Sequence, residues 1–129
     1  MKKSICLIAA AAALALPSSI ILKTHAVEAQ KPENTKEVMK LAHKGEDSIS
    51  KRVSQGKGTN EEIKLLLSYY KVMEKDEPPR GSKESWHEKT TALVKAAESL
   101  SRHEPGAVQK YKEAVNCKAC HSEHKPEKK

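Results

Sequence analysis

The residues Cys117-Lys118-Ala119-Cys120-His121 lie near the carboxyl end of the 129-residue chain. Two cysteines separated by two residues and followed directly by a histidine form the arrangement that attaches haem c to proteins. On a helix, positions 117, 120 and 121 share one face, so two thiols can form thioethers with the haem vinyl groups while the imidazole reaches the iron. The stretch therefore predicts one covalent haem c on Cys117 and Cys120, with His121 as the proximal iron ligand.

Three other interpretations of this stretch are weaker. A redox-active dithiol has the same cysteine spacing but normally opens a helix after a strand, and no segment of this chain alternates like a strand. A zinc site could add His124 to the motif, yet four ligands packed so closely on one helix cannot easily surround a metal tetrahedrally. A disulfide between residues three apart in a helix is strained. We therefore favour haem attachment.

The amino terminus has the order of a secretory signal peptide. Two lysines precede an apolar stretch at residues 5–16 that is mostly alanine and leucine, and a proline with two serines follows. The apolar core is shorter than the ~20 residues needed to span a bilayer. We expect residues 1–29 to be removed by cleavage after Ala29, with Ala26 as the alternative. The mature domain would then be residues 30–129, exported to the bacterial periplasm, where haem is attached to apocytochromes.

Charge and composition narrow the classes of partner. The chain carries 24 Lys and Arg against 17 Asp and Glu, but the lysines alternate with glutamates along every segment, which is typical of a solvated surface. We expect no nucleic acid partner and no stable membrane insertion after signal removal. With no Phe, one Trp and three Tyr, the side chains offer little to fill a core, and a buried haem would add apolar area.

Four helical patterns follow the predicted signal peptide, and no strand pattern is found. We expect the first helix over about 35–55, with Gly45 as a point where it can kink. The second helix begins at Thr59, which forms a capping box with Glu62, and it ends before Pro78. The apolar stripe of this second helix consists of Ile63, Leu66, Leu67, Tyr70 and Met73.

The second half of the chain repeats this organisation. The third helix begins at Ser82 or Ser85 and runs to about Arg102, and Pro105 suits the first turn of a fourth helix that continues into the cysteine motif. The apolar positions of the third helix are Trp86, Thr90, Leu93, Ala97 and Leu100. Four amphipathic helices joined by short breaks predict an all-α fold, an antiparallel four-helix bundle with haem bound near the C-terminus.

With the haem motif at the end of a four-helix chain, the protein resembles the class II cytochromes c, the cytochrome c′ superfamily. Met39 within Val38–Lys40 is similar to the methionine-containing segment of the low-spin branch of that family, where the methionine is the sixth iron ligand. Trp86 is similar to the tryptophan that begins the family's third helix. His124 and Lys125 depart from the aromatic residue and the arginine that the family often has at these places.

The resemblance implies a periplasmic mono-haem electron carrier and not an enzyme, with no catalytic residue and with redox partner proteins that the sequence does not identify. Met39 is the preferred distal iron ligand, because a soft thioether suits haem iron. His43 is the alternative, since it lies one turn further along nearly the same helix face. If neither binds, the iron is five-coordinate and the protein resembles cytochromes c′ that bind NO or CO. A homodimer through the first two helices would fit the family.

Overall fold

The computed structural model describes residues 30–127, so the predicted signal peptide lies outside the described residues. Within this range the chain forms helices joined by turns and contains no strand, which confirms the all-α fold class. The elements are α1 (Thr35–Val38), a π-helical turn (Met39–His43), α2 (Ile49–Ser54), α3 (Asn60–Lys75), α4 (Lys83–Ser101), α5 (Ala107–Ala114) and α6 (Cys117–His124).

No helix among residues 30–127 is both long enough and apolar enough to cross a membrane.

The helices α3 and α4 form a hairpin whose boundaries follow local signals. The Thr59 hydroxyl accepts a hydrogen bond from the Glu62 backbone N–H at 3.2 Å, and the Glu62 carboxylate accepts one from the Thr59 N–H at 2.9 Å, so the predicted capping box begins α3. The Ser82 hydroxyl caps α4 by accepting from the Ser85 N–H at 3.1 Å. These contacts satisfy backbone donors that would otherwise lack a partner at the start of each helix.

The buried faces of the hairpin form most of the core. The predicted stripe of α4 is buried at all five positions, and in α3 the stripe differs at one position, since Leu67 is only half-buried while Tyr69 is buried. The indole Nε1 of Trp86 donates to the Met73 and Asp76 carbonyls at 3.0 and 2.9 Å. Trp86 thereby holds the start of α4 against the end of α3.

The expected single helix over 35–55 is interrupted. Residues 44–48 leave the helical conformation between the π-helical turn and α2, and the break includes Gly45, whose φ of 99° is a conformation that favours glycine. Ser48 then caps α2 by accepting from the Lys51 N–H at 3.4 Å. The short helices α1 and α2 both pack on α3, and α2 also contacts α5.

The fourth predicted helix is interrupted as well, directly before the cysteine motif. Val115 has a ψ of 41°, outside the helical range, and the Asn116 side chain accepts from the Ala119 N–H at 3.0 Å. The motif therefore begins a helix of its own, α6, which packs on α4, while α5 contacts α4 and α2. Asn116 is a cap signal that the sequence displays, but the apolar pattern that continues into the motif led to the prediction of one unbroken helix.

Candidate functional site

The residues Cys117, Cys120 and His121 lie on the single helix α6, as their spacing predicts. Cys117 and His121 are exposed and Cys120 is half-buried. Both thiols are free, so no disulfide occupies the motif. Burial raises the pKa of the Cys120 thiol above its ordinary value, which keeps that sulfur protonated near neutral pH.

A cleft beside α6 brings the motif together with residues from the first third of the chain. It has two adjoining lobes with volumes of about 690 and 390 Å³, within the usual range for ligand pockets. The residues that line both lobes are Met39, His43, Met73, Cys120 and His121. Cys117 lines the smaller lobe, and Trp86 lines the larger. All five predicted site residues thus face one space.

Met39 and His43 begin and end the π-helical turn, and both side chains line the cleft. Turns of this type are rare and frequently occur at functional sites. Met39 is half-buried and packs against the core. The two alternative distal ligands therefore face the cleft from one short turn, and their positions alone do not select between them.

Met73 is a cleft residue that sequence reasoning placed only in the core. Its side chain is 1% exposed and lines both lobes of the cleft. The signal was the stripe position on α3, which does not distinguish a core methionine from one that borders a cavity. It adds a second thioether to the cleft wall.

The His43 imidazole ends a chain of buried hydroxyl groups. Its Nε2 lies 3.4 Å from the Tyr70 hydroxyl, which is 2.6 Å from the Tyr111 hydroxyl, and that group is 2.8 Å from the Ser50 hydroxyl. Burial, and secondarily the nearby His121, lower the pKa of His43 from 6.5 to about 4, so its ring is neutral at pH 7. Burial also raises the pKa of Tyr70 and Tyr111, which keeps both phenols protonated.

His124 holds α6 in place. Its ring is 2% exposed and packs edge-on against Trp86, with ring centroids 5.3 Å apart. Its Nδ1 lies 2.8 Å from the Arg80 carbonyl, an acceptor, so this nitrogen carries the proton and donates. Near it, Glu123 accepts from Lys89 at 2.9 Å. His124 thus packs in the interior as an aromatic side chain would, and its Nε2 lies 3.3 Å from the Ser85 hydroxyl.

The structure brings the predicted haem-attachment residues and both candidate distal ligands to one cleft. Within residues 30–127, no group of three or more His, Cys, Asp or Glu side chains is arranged to hold a metal ion by itself. The hydroxyl chain and the role of His124 were not predicted, since each joins residues far apart in the sequence. Comparison of the chain with protein-family models, with curated proteins and with solved structures finds no match.

Proposed function

We propose that this protein is a periplasmic mono-haem c-type cytochrome that carries electrons. The haem is bound covalently through Cys117 and Cys120, with His121 as the proximal iron ligand and Met39 as the distal one. One observation carries the proposal: Cys120 and His121 line the same cleft as Met39, which comes from a distant part of the chain. A protein that holds iron between two axial ligands needs this convergence.

The fold that accompanies this function is an antiparallel four-helix bundle of the class II cytochrome c type. Its support is the order of packing, because each helical stretch contacts the next along the chain and the first contacts the last. The hairpin α3–α4 packs internally, α1 and α2 pack on α3, α5 packs on α4, and α2 contacts α5. Short connections between long helices favour antiparallel neighbours.

The side chains around the cleft suit a haem. Two free thiols at the required spacing can each form a thioether, and the exposed imidazole beside them is available to iron. Met73 and Trp86 supply apolar walls for a porphyrin. When bound, the haem supplies one-electron iron chemistry, and thioether ligation raises its reduction potential relative to a second imidazole.

The surroundings of α6 also weigh against a redox-active dithiol and against a zinc site at the motif. A redox-active cysteine pair normally opens a helix after a strand, and residues 30–127 contain no strand. A zinc site would need the Nε2 of His124, which instead lies 3.3 Å from the Ser85 hydroxyl and 3.6 Å from the Glu123 carboxylate. Haem attachment therefore suits the two cysteines and His121 better than a redox-active dithiol or a zinc site does.

The attachment is tested by making the protein in a host with haem-maturation machinery and extracting it with acid-acetone. Thioether bonds should retain the pigment in the protein fraction, and the Cys117→Ser/Cys120→Ser variant should release it or never acquire it. The visible absorption spectrum and the mass of the purified chain measure both. Colourless wild-type protein with two free thiols would overturn the proposal.

The distal ligand is tested by comparing Met39→Ala with Met73→Leu, a change at the neighbouring thioether that nearly conserves volume. Wild-type protein should be low-spin with a weak near-infrared band from sulfur-to-iron charge transfer. Met39→Ala should lose that band and Met73→Leu should keep it. Retention of the band in Met39→Ala would exclude Met39, and a high-spin wild-type spectrum that changes with CO would favour the gas-binding alternative.

A further inference from the structure

Three hydroxyl groups from three helices form a line of contacts that ends at His43. His43 is the candidate ligand that the proposed function does not use. Ser50 comes from α2, Tyr70 from α3 and Tyr111 from α5. Tyr70 and Tyr111 are 0% exposed, so their hydroxyl protons need partners within the protein, whereas Ser50 also lines the cleft. The contacts run in a single line from Ser50 through Tyr111 and Tyr70 to the His43 Nε2.

Counting the protons gives this line a direction. Each hydroxyl has one proton to donate. If Ser50 donates to Tyr111, Tyr111 to Tyr70, and Tyr70 to the His43 Nε2, all three protons are bound by acceptors. In the opposite direction Nε2–H would donate to Tyr70, and the Ser50 proton would turn to the cleft, which Ser50 lines, or back to Tyr70. We adopt the first direction, in which each proton is accepted by the next group of the line and none depends on the cleft.

In this direction neither ring nitrogen of His43 has a lone pair free for iron. A metal at Nε2 would take the lone pair that accepts from Tyr70 and leave a buried phenol without an acceptor. A metal at Nδ1 would require the ring proton to move to Nε2, which would reverse the whole line of donors. His43 can therefore ligate iron only if the line is broken.

We propose that Tyr70 is a positioning residue that holds His43 off the haem iron and so reserves the distal site for Met39, an inference that rests on the proposed function. Tyr70 touches His43, whereas the neighbouring Tyr69 donates to the Gln30 carbonyl at 2.8 Å and takes no part in the line. Tyr69→Phe is therefore a matched control on the same helix.

The test compares spin states in the pigmented protein after the distal methionine has been removed. Met39→Ala alone should be five-coordinate, high-spin and responsive to CO, because the Tyr70 hydroxyl still donates a hydrogen bond to the His43 Nε2. Adding Tyr70→Phe should convert the spectrum to a low-spin form without the sulfur-to-iron band, as His43 binds. Adding Tyr69→Phe instead should leave it high-spin. Adding His43→Gln to the Met39→Ala/Tyr70→Phe pair should restore the high-spin spectrum, and circular dichroism checks helix content throughout.

A second measurement needs no substitution in the buried line. The ¹⁵N chemical shifts of the His43 ring in wild-type protein should show the proton on Nδ1 and an unprotonated Nε2. The opposite tautomer would overturn the inference, as would a Met39→Ala/Tyr70→Phe spectrum that stays high-spin or a Met39→Ala spectrum that is already low-spin. These outcomes in pigmented protein defeat the inference alone, whereas colourless wild-type protein defeats the proposed function and the inference with it.

Discussion

The hairpin α3–α4 and the segments that flank it, residues 35–54 and 107–124, are built differently. The two hairpin helices have 16 and 19 residues. The flanking segments are broken into helices of four to eight residues and include a π-helical turn. Helices this short are marginal unless packing supports them.

The difference lies in where each part finds its apolar partners. The hairpin buries its stripes within the protein, and its core residues are at most 8% exposed. The flanking segments also bury residues such as Val38 and Tyr111, but where they border the cleft Met39 and Cys120 are only half-buried and His121 is exposed. We infer that the hairpin is the self-sufficient part, while the flanking segments are arranged around the proposed haem. Three measurements on the Cys117→Ser/Cys120→Ser variant, in which no haem is attached, can break or sharpen this comparison.

The largest effect is expected from truncating side chains of similar volume in the two parts. Leu66 in α3 is 0% exposed, and Leu66→Ala should lower the free energy of unfolding by about 2–5 kcal/mol. Met39→Ala should lower it by about 1 kcal/mol, because the Met39 side chain faces the cleft and is only half-buried. Urea denaturation followed by circular dichroism measures both. Equal losses would show that the two parts are equally well packed.

An intermediate effect is expected from pH, through His43. Its pKa is about 4 in the folded chain and 6.5 in the unfolded one. Between pH 4 and 6.5 the imidazole is therefore protonated in the unfolded chain and neutral in the folded one. Stability contributed by neutral His43 is complete above pH 6.5 and is lost as the pH falls to about 4, by roughly 3 kcal/mol at most.

The control for this pH effect is His43→Gln, which keeps a neutral polar side chain. The difference in unfolding free energy between the two proteins should change over that pH window and be flat above it. The subtraction removes the contribution of carboxylates that titrate in the same range. A flat difference from pH 4 to 6.5 would mean that His43 is as accessible to solvent as an ordinary histidine.

The smallest effect is expected from two glycines. Gly45 and Gly81 have φ of 99° and 80°, so alanine should cost about 1 kcal/mol at either position. A Cβ at Gly45 meets open space, whereas at Gly81 it would lie 2.8 Å from the His124 Nδ1. Gly81→Ala should therefore cost about 1 kcal/mol more, since it displaces the His124–Arg80 hydrogen bond. Equal melting temperatures would show that His124 does not anchor α6.

The sequence by itself determined the features that depend on neighbours within about one helical turn. The capping box of Thr59 and Glu62 predicted where α3 begins, and the apolar stripe of α4 predicted its buried face. The spacing of Cys117, Cys120 and His121 likewise predicted their shared helix. Such local patterns act through contacts between residues three or four positions apart, which the sequence displays directly.

Only the tertiary structure decided how distant segments meet. The hydrogen bond between Tyr70 and Tyr111 joins residues 41 positions apart, and the one between Ser50 and Tyr111 joins residues 61 apart. The packing of His124 on Trp86 and the breaks beside the cleft are of the same kind. No periodicity carries such pairings, because they depend on the angle and register at which whole helices pack, and these are set by the sum of many weak contacts.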